Sequence, residues 1–122
     1  MSDSTKTFVL DLIKLVDDLQ RLYEEHIESY DELLPHVFFG DLTRYVVSSF
    51  ESIIGDQYNG QEWKDLDNIL KHIENGVSGD DKEIQGLIVV SFLENLDLAN
   101  RNLKILTERF GPNLKKVFRK IK

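Results

Sequence analysis

The sequence predicts an all-α protein: a single helical domain over residues 1–122, folded as a compact bundle of about five to six helices. Apolar residues recur at three- and four-residue steps along most of the chain, which is the spacing of helices with one buried face. Glycine, proline and turn-forming residues separate these periodic segments. The chain has 122 residues, of which 41% are hydrophobic and 30% are charged. A chain of this size buries one core without disulfides.

The first helix is predicted from the apolar spacing that starts at Phe8 and continues to Ile27. Asp3 and Ser4 offer it an N-cap, because a short polar side chain can accept a backbone amide hydrogen of the first turn. Pro35 has no amide hydrogen and disfavours helical backbone at the residue before it. We therefore expect any helix that reaches residue 34 to end there.

The second helix is predicted to open at Asp41 as its N-cap, after a glycine at position 40 that permits a positive φ. Gly55 is expected to end it. A third helix extends from Trp63, which we expect to be largely buried, and stops at the Asn-Gly pair at 75–76. The nearly continuous apolar run at 84–93 predicts a central fourth helix, although its Val-Val pair is also compatible with a strand.

Two more helices follow, and they carry most of the positive charge. Residues 98–110 form the fifth, and a Gly-Pro pair at 111–112 ends it and begins a short sixth. Residues 101–122 hold eight basic side chains and one acidic, a net charge of +7, whereas residues 1–100 carry −14. An acidic body attracts basic partners. The basic end folding back on the acidic body is an equally open interpretation.

The sequence argues against an enzyme. It has no cysteine, so neither a disulfide nor a thiolate zinc site is possible. The three histidines are far apart and none follows a glutamate by three residues, as in di-iron bundles. No glycine-rich phosphate loop or serine elbow is present. The acidic run after Tyr23 lacks the glycine of a calcium loop and is expected to be a solvated face. We therefore expect no catalysis, no cofactor and no metal.

Nucleic acid and membranes are also disfavoured as partners. The acidic body repels polyanions, and cations near a helix C-terminus are favoured by the helix dipole in any case. No apolar run approaches the roughly 20 residues that span a bilayer. The first residues lack the basic and apolar regions of a signal peptide. These features predict a cytoplasmic protein.

Two segments stand out because they mix bulky apolar residues with polar ones: residues 33–44 (LLPHVFFGDLTR) and 88–96 (IVVSFLENL). Arg44 is expected to pair with Asp41 one turn earlier or with Glu94 in the other segment. We favour a buried or half-buried Arg–Glu link that holds the fold over direct contact with a partner. The polar residues given this structural role are His36, Asp41, Arg44, Glu94 and Asn95.

Together with residues 111–114 (GPNL), these segments resemble small all-helical bacterial immunity proteins of contact-dependent growth inhibition and other polymorphic toxin systems. The resemblance covers about residues 30–120. It implies a protein that binds and neutralises a cognate toxin domain, with a nuclease as the expected class. Nucleases present Lys and Arg to phosphates, and an acidic inhibitor can occupy that surface. The alternative is a regulatory or scaffold module that binds a partner helix or a basic peptide.

The contacts to a basic toxin are predicted around the loop and helix start at residues 55–67. Exposed loops between helices commonly carry recognition residues. The acidic side chains expected to bind the partner are Asp56, Glu62, Asp65 and Asp67.

Overall fold

A computed structural model describes residues 2–55, 60–96 and 102–121 of the chain. The described residues form helices joined by short turns and contain no strand, so the all-α prediction is confirmed. The expected number of five to six helices is wrong, because seven α-helices are formed in these segments. They are α1 (Asp3–Ile13), α2 (Asp17–Tyr30), α3 (Pro35–Gly55), α4 (Gly60–Ser78), α5 (Lys82–Ile88), α6 (Asn102–Glu108) and α7 (Pro112–Ile121).

The predicted long first helix is in fact two helices. Lys14 ends α1, and Val16 is extended, with φ −142° and ψ 131°, before α2 begins at Asp17. Val16 is nevertheless buried, so the break keeps the apolar stripe in the core while the chain changes direction. Asp17 and Asp18 occupy the first turn of α2, where the positive end of the helix dipole favours carboxylates.

The α3 helix begins at Pro35, six residues before the predicted start. Proline suits the first position of a helix because its missing amide hydrogen has no intrahelical partner there. Gly40 and Asp41 therefore lie inside α3, and Asp41 is not an N-cap. No described glycine has a positive φ; the left-handed residue is Asp31, with φ 61°, at the end of α2.

A buried histidine holds the turn between α2 and α3. His26 is 3% exposed, and its Nε2 accepts the Leu34 amide hydrogen at 2.9 Å. The neutral ring must therefore carry its proton on Nδ1. The ring of Phe38 packs edge-on against it, with centroids 5.7 Å apart.

The α4 helix does not stop at the Asn-Gly pair but continues through it to Ser78. Close packing requires a glycine at position 76, because a Cβ atom there would lie 2.5 Å from Phe8 Cε1 and 2.9 Å from Ile88 Cδ1. The absent side chain lets α1 and α5 approach α4 closely. Trp63, near the start of α4, is half-buried rather than largely buried, so its expected burial is wrong in degree.

The long helix α3 packs against α2, α4, α5 and α6, and its apolar side chains fill the centre of the core. The largest fully buried side chains include Phe38, Phe39, Phe50 and Phe92. The α5 helix is capped by Asp81, whose carboxylate accepts the amide hydrogens of Glu83 and Ile84. It continues directly into a π-helical turn at Val89–Leu93, closed by the bond from the Glu94 amide to the Val89 carbonyl at 3.0 Å.

The last helix starts at Pro112, as predicted. Its N-terminus is capped from another helix: the Glu74 carboxylate of α4 accepts the amide hydrogens of Asn113 at 2.9 Å and Leu114 at 2.8 Å. Leu114 and Phe118 are buried, so the apolar side of α7 faces the core.

Candidate functional site

The two sequence segments singled out above meet in the structure around Ser91. The Ser91 hydroxyl lies 2.5 Å from Nδ1 of His36, and the Ser91 carbonyl accepts hydrogen bonds from Thr43 Oγ1 at 3.1 Å and Asn95 Nδ2 at 2.8 Å. Thr43 also donates to the Phe39 carbonyl at 2.7 Å. Thr43 and Ser91 are 3% and 5% exposed. These contacts join α3 to the π-helical turn.

Arg44 does not take part in this buried network. Its Nη2 contacts the Asp41 carboxylate within α3, which is the i, i+3 alternative, and its side chain is 75% exposed. The expected buried or half-buried link between Arg44 and Glu94 is therefore wrong, because both residues lie on the surface. His36, which was predicted as a structural residue, and Thr43, which sequence reasoning missed, connect the two segments through Ser91 instead. The sequence offered one indication of the role of Thr43. Adjacent residues of a helix point in different directions, so if Arg44 faces solvent, the neighbouring Thr43 can face the core.

A second polar feature is a concave acidic surface between α2, α3 and α4. Two adjoining cavities of about 290 and 390 Å³ share Asp18 and Asp65 in their walls. None of the described residues that line either cavity is basic. Leu66 and Ile69 form the apolar part of the wall, and Ser48, Ser49 and Ser52 contribute hydroxyl groups. We name this surface the acidic groove, and it is defined by Asp17, Asp18, Tyr45, Glu62 and Asp65.

Hydrogen bonds orient three side chains of the acidic groove, those of Asp18, Tyr45 and Asp65. The Tyr45 hydroxyl donates to Asp18 Oδ2 at 3.0 Å, and Gln61 Nε2 donates to Asp65 Oδ1 at 2.8 Å. Burial, and then the hydrogen bond to Asp18, raise the pKa of Tyr45 to about 12. Asp18 also accepts a hydrogen bond from Arg21 at 3.2 Å. The neutral phenol thus links α3 to the first turn of α2.

The structure separates the four predicted contact residues. Glu62 and Asp65 lie in the acidic groove, whereas Asp67 is bound to a basic side chain of the same chain. Arg109 Nε and Nη2 donate to its two carboxylate oxygens at 3.0 and 2.6 Å. Asp56 lies outside the described residues.

Asp17, Asp18 and Tyr45 were missed as groove residues. The two aspartates follow each other directly and open α2, which is a recognisable start signal. Their place beside α4 depends on the break before α2, which the apolar spacing alone did not indicate.

The basic end of the chain packs against the acidic body in part. Arg109 binds Asp67 and lies over the Trp63 ring, with its guanidinium carbon 4.0 Å from the ring centroid. Lys116, Arg119 and Lys120 of α7 are exposed, and no carboxylate of the described segments lies within ion-pair distance of them. We name these three residues the basic face of α7. Among the described residues of the basic end, the ion pair with the acidic body is therefore that of Arg109 with Asp67.

No cluster of three or more histidines, aspartates or glutamates suited to a metal ion occurs within residues 2–55, 60–96 and 102–121. None of the helices in the same ranges has the length and apolar character needed to cross a bilayer.

Residues 9–122 match the model of a family described as a domain of unknown function, DUF7674, and the chain belongs to this family. No curated protein and no solved structure matches the chain.

Proposed function

We propose that this member of the DUF7674 family is an immunity protein. It binds a cognate basic toxin domain through the acidic groove and neutralises it in the cytoplasm, with a nuclease as the expected class of toxin. The observation that carries the proposal is the acidic groove itself, in which carboxylates of α2 and α4 surround a concave surface and no described lining residue is basic.

The chemistry of the groove fits a cationic side chain that a toxin would present to phosphates. A nuclease gathers Lys and Arg where its substrate binds. Arginine and lysine pair with carboxylates through charge-assisted hydrogen bonds, which are about twice as strong as neutral ones. An inhibitor that occupies these cations removes them from the substrate. The negative surface also speeds encounter with a positive partner.

The arrangement is partly fixed before binding. Asp18 is held by Tyr45, and Asp65 is held by Gln61. A surface whose side chains are already ordered loses less conformational entropy when a partner binds. This favours recognition by the groove over the exposed glutamates of α2, such as Glu25 and Glu28.

The test reverses charge in the groove and, as a matched control, outside it. The variant carries Glu62→Lys and Asp65→Lys, and the control carries Glu25→Lys and Glu28→Lys, so that both change the net charge equally. The partner is the toxin domain that the proposal expects in a reading frame next to that of this protein. Protection of cells that express the toxin, the association rate in stopped flow and the melting temperature are measured for each protein.

We expect the groove variant to lose protection and to associate at least about tenfold more slowly, while the control keeps protection. The wild-type association rate should fall as salt rises from about 0.1 M to about 1 M, because the screening length shortens from about 10 to about 3 Å. Equal protection by both variants at unchanged stability would contradict the proposal.

One observation favours the alternative of a regulatory or scaffold module. A third cavity, of about 430 Å³, lies along α3, and its wall combines Gly40, Val47 and Leu103 with polar side chains such as Arg44 and Asn95. A partner helix that docks in a groove places its apolar side against such apolar groups, and its polar residues would meet the polar part of the wall. Gly40→Arg would fill this cavity, because a Cβ atom at Gly40 meets nothing within 4 Å. Loss of partner binding in this variant, with the acidic groove intact, would favour the alternative.

A further inference from the structure

The proposed function does not involve the basic face of α7. Lys116 is three residues before Arg119 and four before Lys120, so the three side chains share one side of the helix. Like charges at this spacing destabilise a helix by a few tenths of a kcal/mol, and a basic toxin would be repelled by them. The helix dipole favours cations in the last turn of α7, and the same positive charge suits this face to an acidic partner.

The fold exposes these cations while it anchors the helix by other groups. Leu114 and Phe118 are buried in the core, and Glu74 caps the first turn of α7. Insertion into a membrane is disfavoured, because an amphipathic helix enters a bilayer with its apolar side, which is already covered here. A long polyanion such as nucleic acid would also meet the −14 charge of residues 1–100.

The acidic surface that fits this helix face is the acidic groove of another copy of the chain. α7 has ten residues, which is about 15 Å of helix, and it presents its cations from a rigid, capped element. The groove presents carboxylates from α2 and α4, and no described lining residue is basic. A helix-borne row of Lys and Arg is the same chemistry that the groove is proposed to bind in a toxin.

We propose that the basic face of α7 in one copy docks into the acidic groove of a second copy. The contact involves one short helix and is smaller than the roughly 1,200 Å² of a standard stable interface, so the self-association is weak and sensitive to salt. Because α7 of the second copy occupies the groove, self-association and binding of a basic partner exclude each other.

Two charge-reversal variants test this contact in the full chain without any toxin. The donor variant carries Lys116→Glu and Lys120→Glu, and the acceptor variant carries Glu62→Lys and Asp65→Lys. Lys6→Glu with Lys71→Glu is the matched control for the donor, because it makes the same charge change at exposed positions of α1 and α4. Mass is measured by sedimentation velocity from about 10 µM to about 1 mM protein, the range in which weak association appears.

We expect the wild type and the control to self-associate with rising concentration at about 0.1 M salt and to become monomeric at about 1 M. Each charge-reversal variant alone stays monomeric. An equimolar mixture of the two forms a heterodimer, because one contributes an intact groove and the other an intact α7. Circular dichroism of each variant establishes that it is folded.

A wild type that stays monomeric over this range at low salt overturns the self-association. The same holds if the two variants fail to pair when mixed, or if the donor variant associates as well as the control. None of these results bears on toxin binding, which is measured separately by protection, so the two proposals fail independently.

Discussion

Glu74 and Gly111 approach each other so closely that the glycine has no room for a side chain: a Cβ atom at position 111 would lie 2.4 Å from Glu74 Cδ. The same carboxylate accepts the amide hydrogens of Asn113 and Leu114. Since these two hydrogen bonds hold the carboxylate in position, it cannot move away without uncapping α7. The contact therefore couples the junction before α7 to α4.

Gly111→Ala is expected to lower the free energy of unfolding by about 1–3 kcal/mol, because an added methyl group in a packed contact forces its neighbours to shift. Urea unfolding measures the change. The control is Gly86→Ala, whose Cβ would meet nothing within 4 Å. In a Glu74→Ala background, Gly111→Ala should cost much less, so additive losses in the double variant would argue against this contact.

Gly40→Ala is expected to stabilise the protein by about 0.5–1 kcal/mol, because alanine favours a helix interior over glycine by this amount. Gly40 lies inside α3, has no positive φ, and leaves open space where a Cβ would go. Thermal and urea unfolding both report the change. A loss of stability would instead favour the left-handed glycine that the sequence predicted before Asp41.

Thr43→Val is expected to cost about 1 kcal/mol, the net value of a typical buried hydrogen bond. Valine keeps the shape of threonine but cannot donate to the carbonyls of Phe39 and Ser91. Arg44→Ala should change stability by less than about 0.5 kcal/mol, since exposed ion pairs contribute little. Urea unfolding of both variants measures the two losses of stability. A larger loss for Arg44→Ala than for Thr43→Val would mean that Arg44 is the main link between the two segments.

Protonated Tyr45 is expected to contribute to the free energy of unfolding, and this contribution is lost at alkaline pH. The pKa of Tyr45 is raised from 10.0 to about 12, so the folded state holds the phenolic proton more tightly than the unfolded state does. The contribution is present below pH 10 and is lost as the pH rises from 10 to about 12. Absorbance titration at alkaline pH should detect the late ionisation of Tyr45, and Tyr45→Phe should remove that step.

Asp18→Asn is the companion variant for this titration. Burial is the largest cause of the raised pKa and the hydrogen bond to Asp18 is the next, so Asp18→Asn should lower the pKa of Tyr45 only in part. If the late ionisation persisted in Tyr45→Phe, the titration would belong to another tyrosine.

Local patterns predicted the parts of the fold that local interactions determine. The apolar spacing indicates helices, and the Gly-Pro pair correctly places the start of α7 at Pro112. Gly55 is a helical residue of α3 without a positive φ, so its predicted role as a C′ cap is wrong. The break at Val16 was not predicted, because that residue remains buried and so preserves the apolar spacing across two helices.

The role of a glycine was the hardest feature to predict from the sequence. An Asn-Gly pair is an ordinary stop signal, but Gly76 stays helical because Phe8 and Ile88 occupy the space of its missing side chain. That reason depends on residues distant in the chain. The acidic groove follows the same logic: Glu62 and Asp65 are visible as acidic residues at a helix start, whereas Asp18 joins them only through the packing of α2.

The π-helical turn at Val89–Leu93 contains one residue more than an α-helical turn would. The bond from residue 94 back to residue 89 closes this wider turn, and the extra residue is taken up inside it. Loss of one codon here would leave an ordinary α-helical turn, and the residues on either side would keep their orientation. In a regular helix such as α3 the same loss would rotate every later side chain by about 100°. We therefore expect a single-residue deletion to be tolerated better in this turn than in α3.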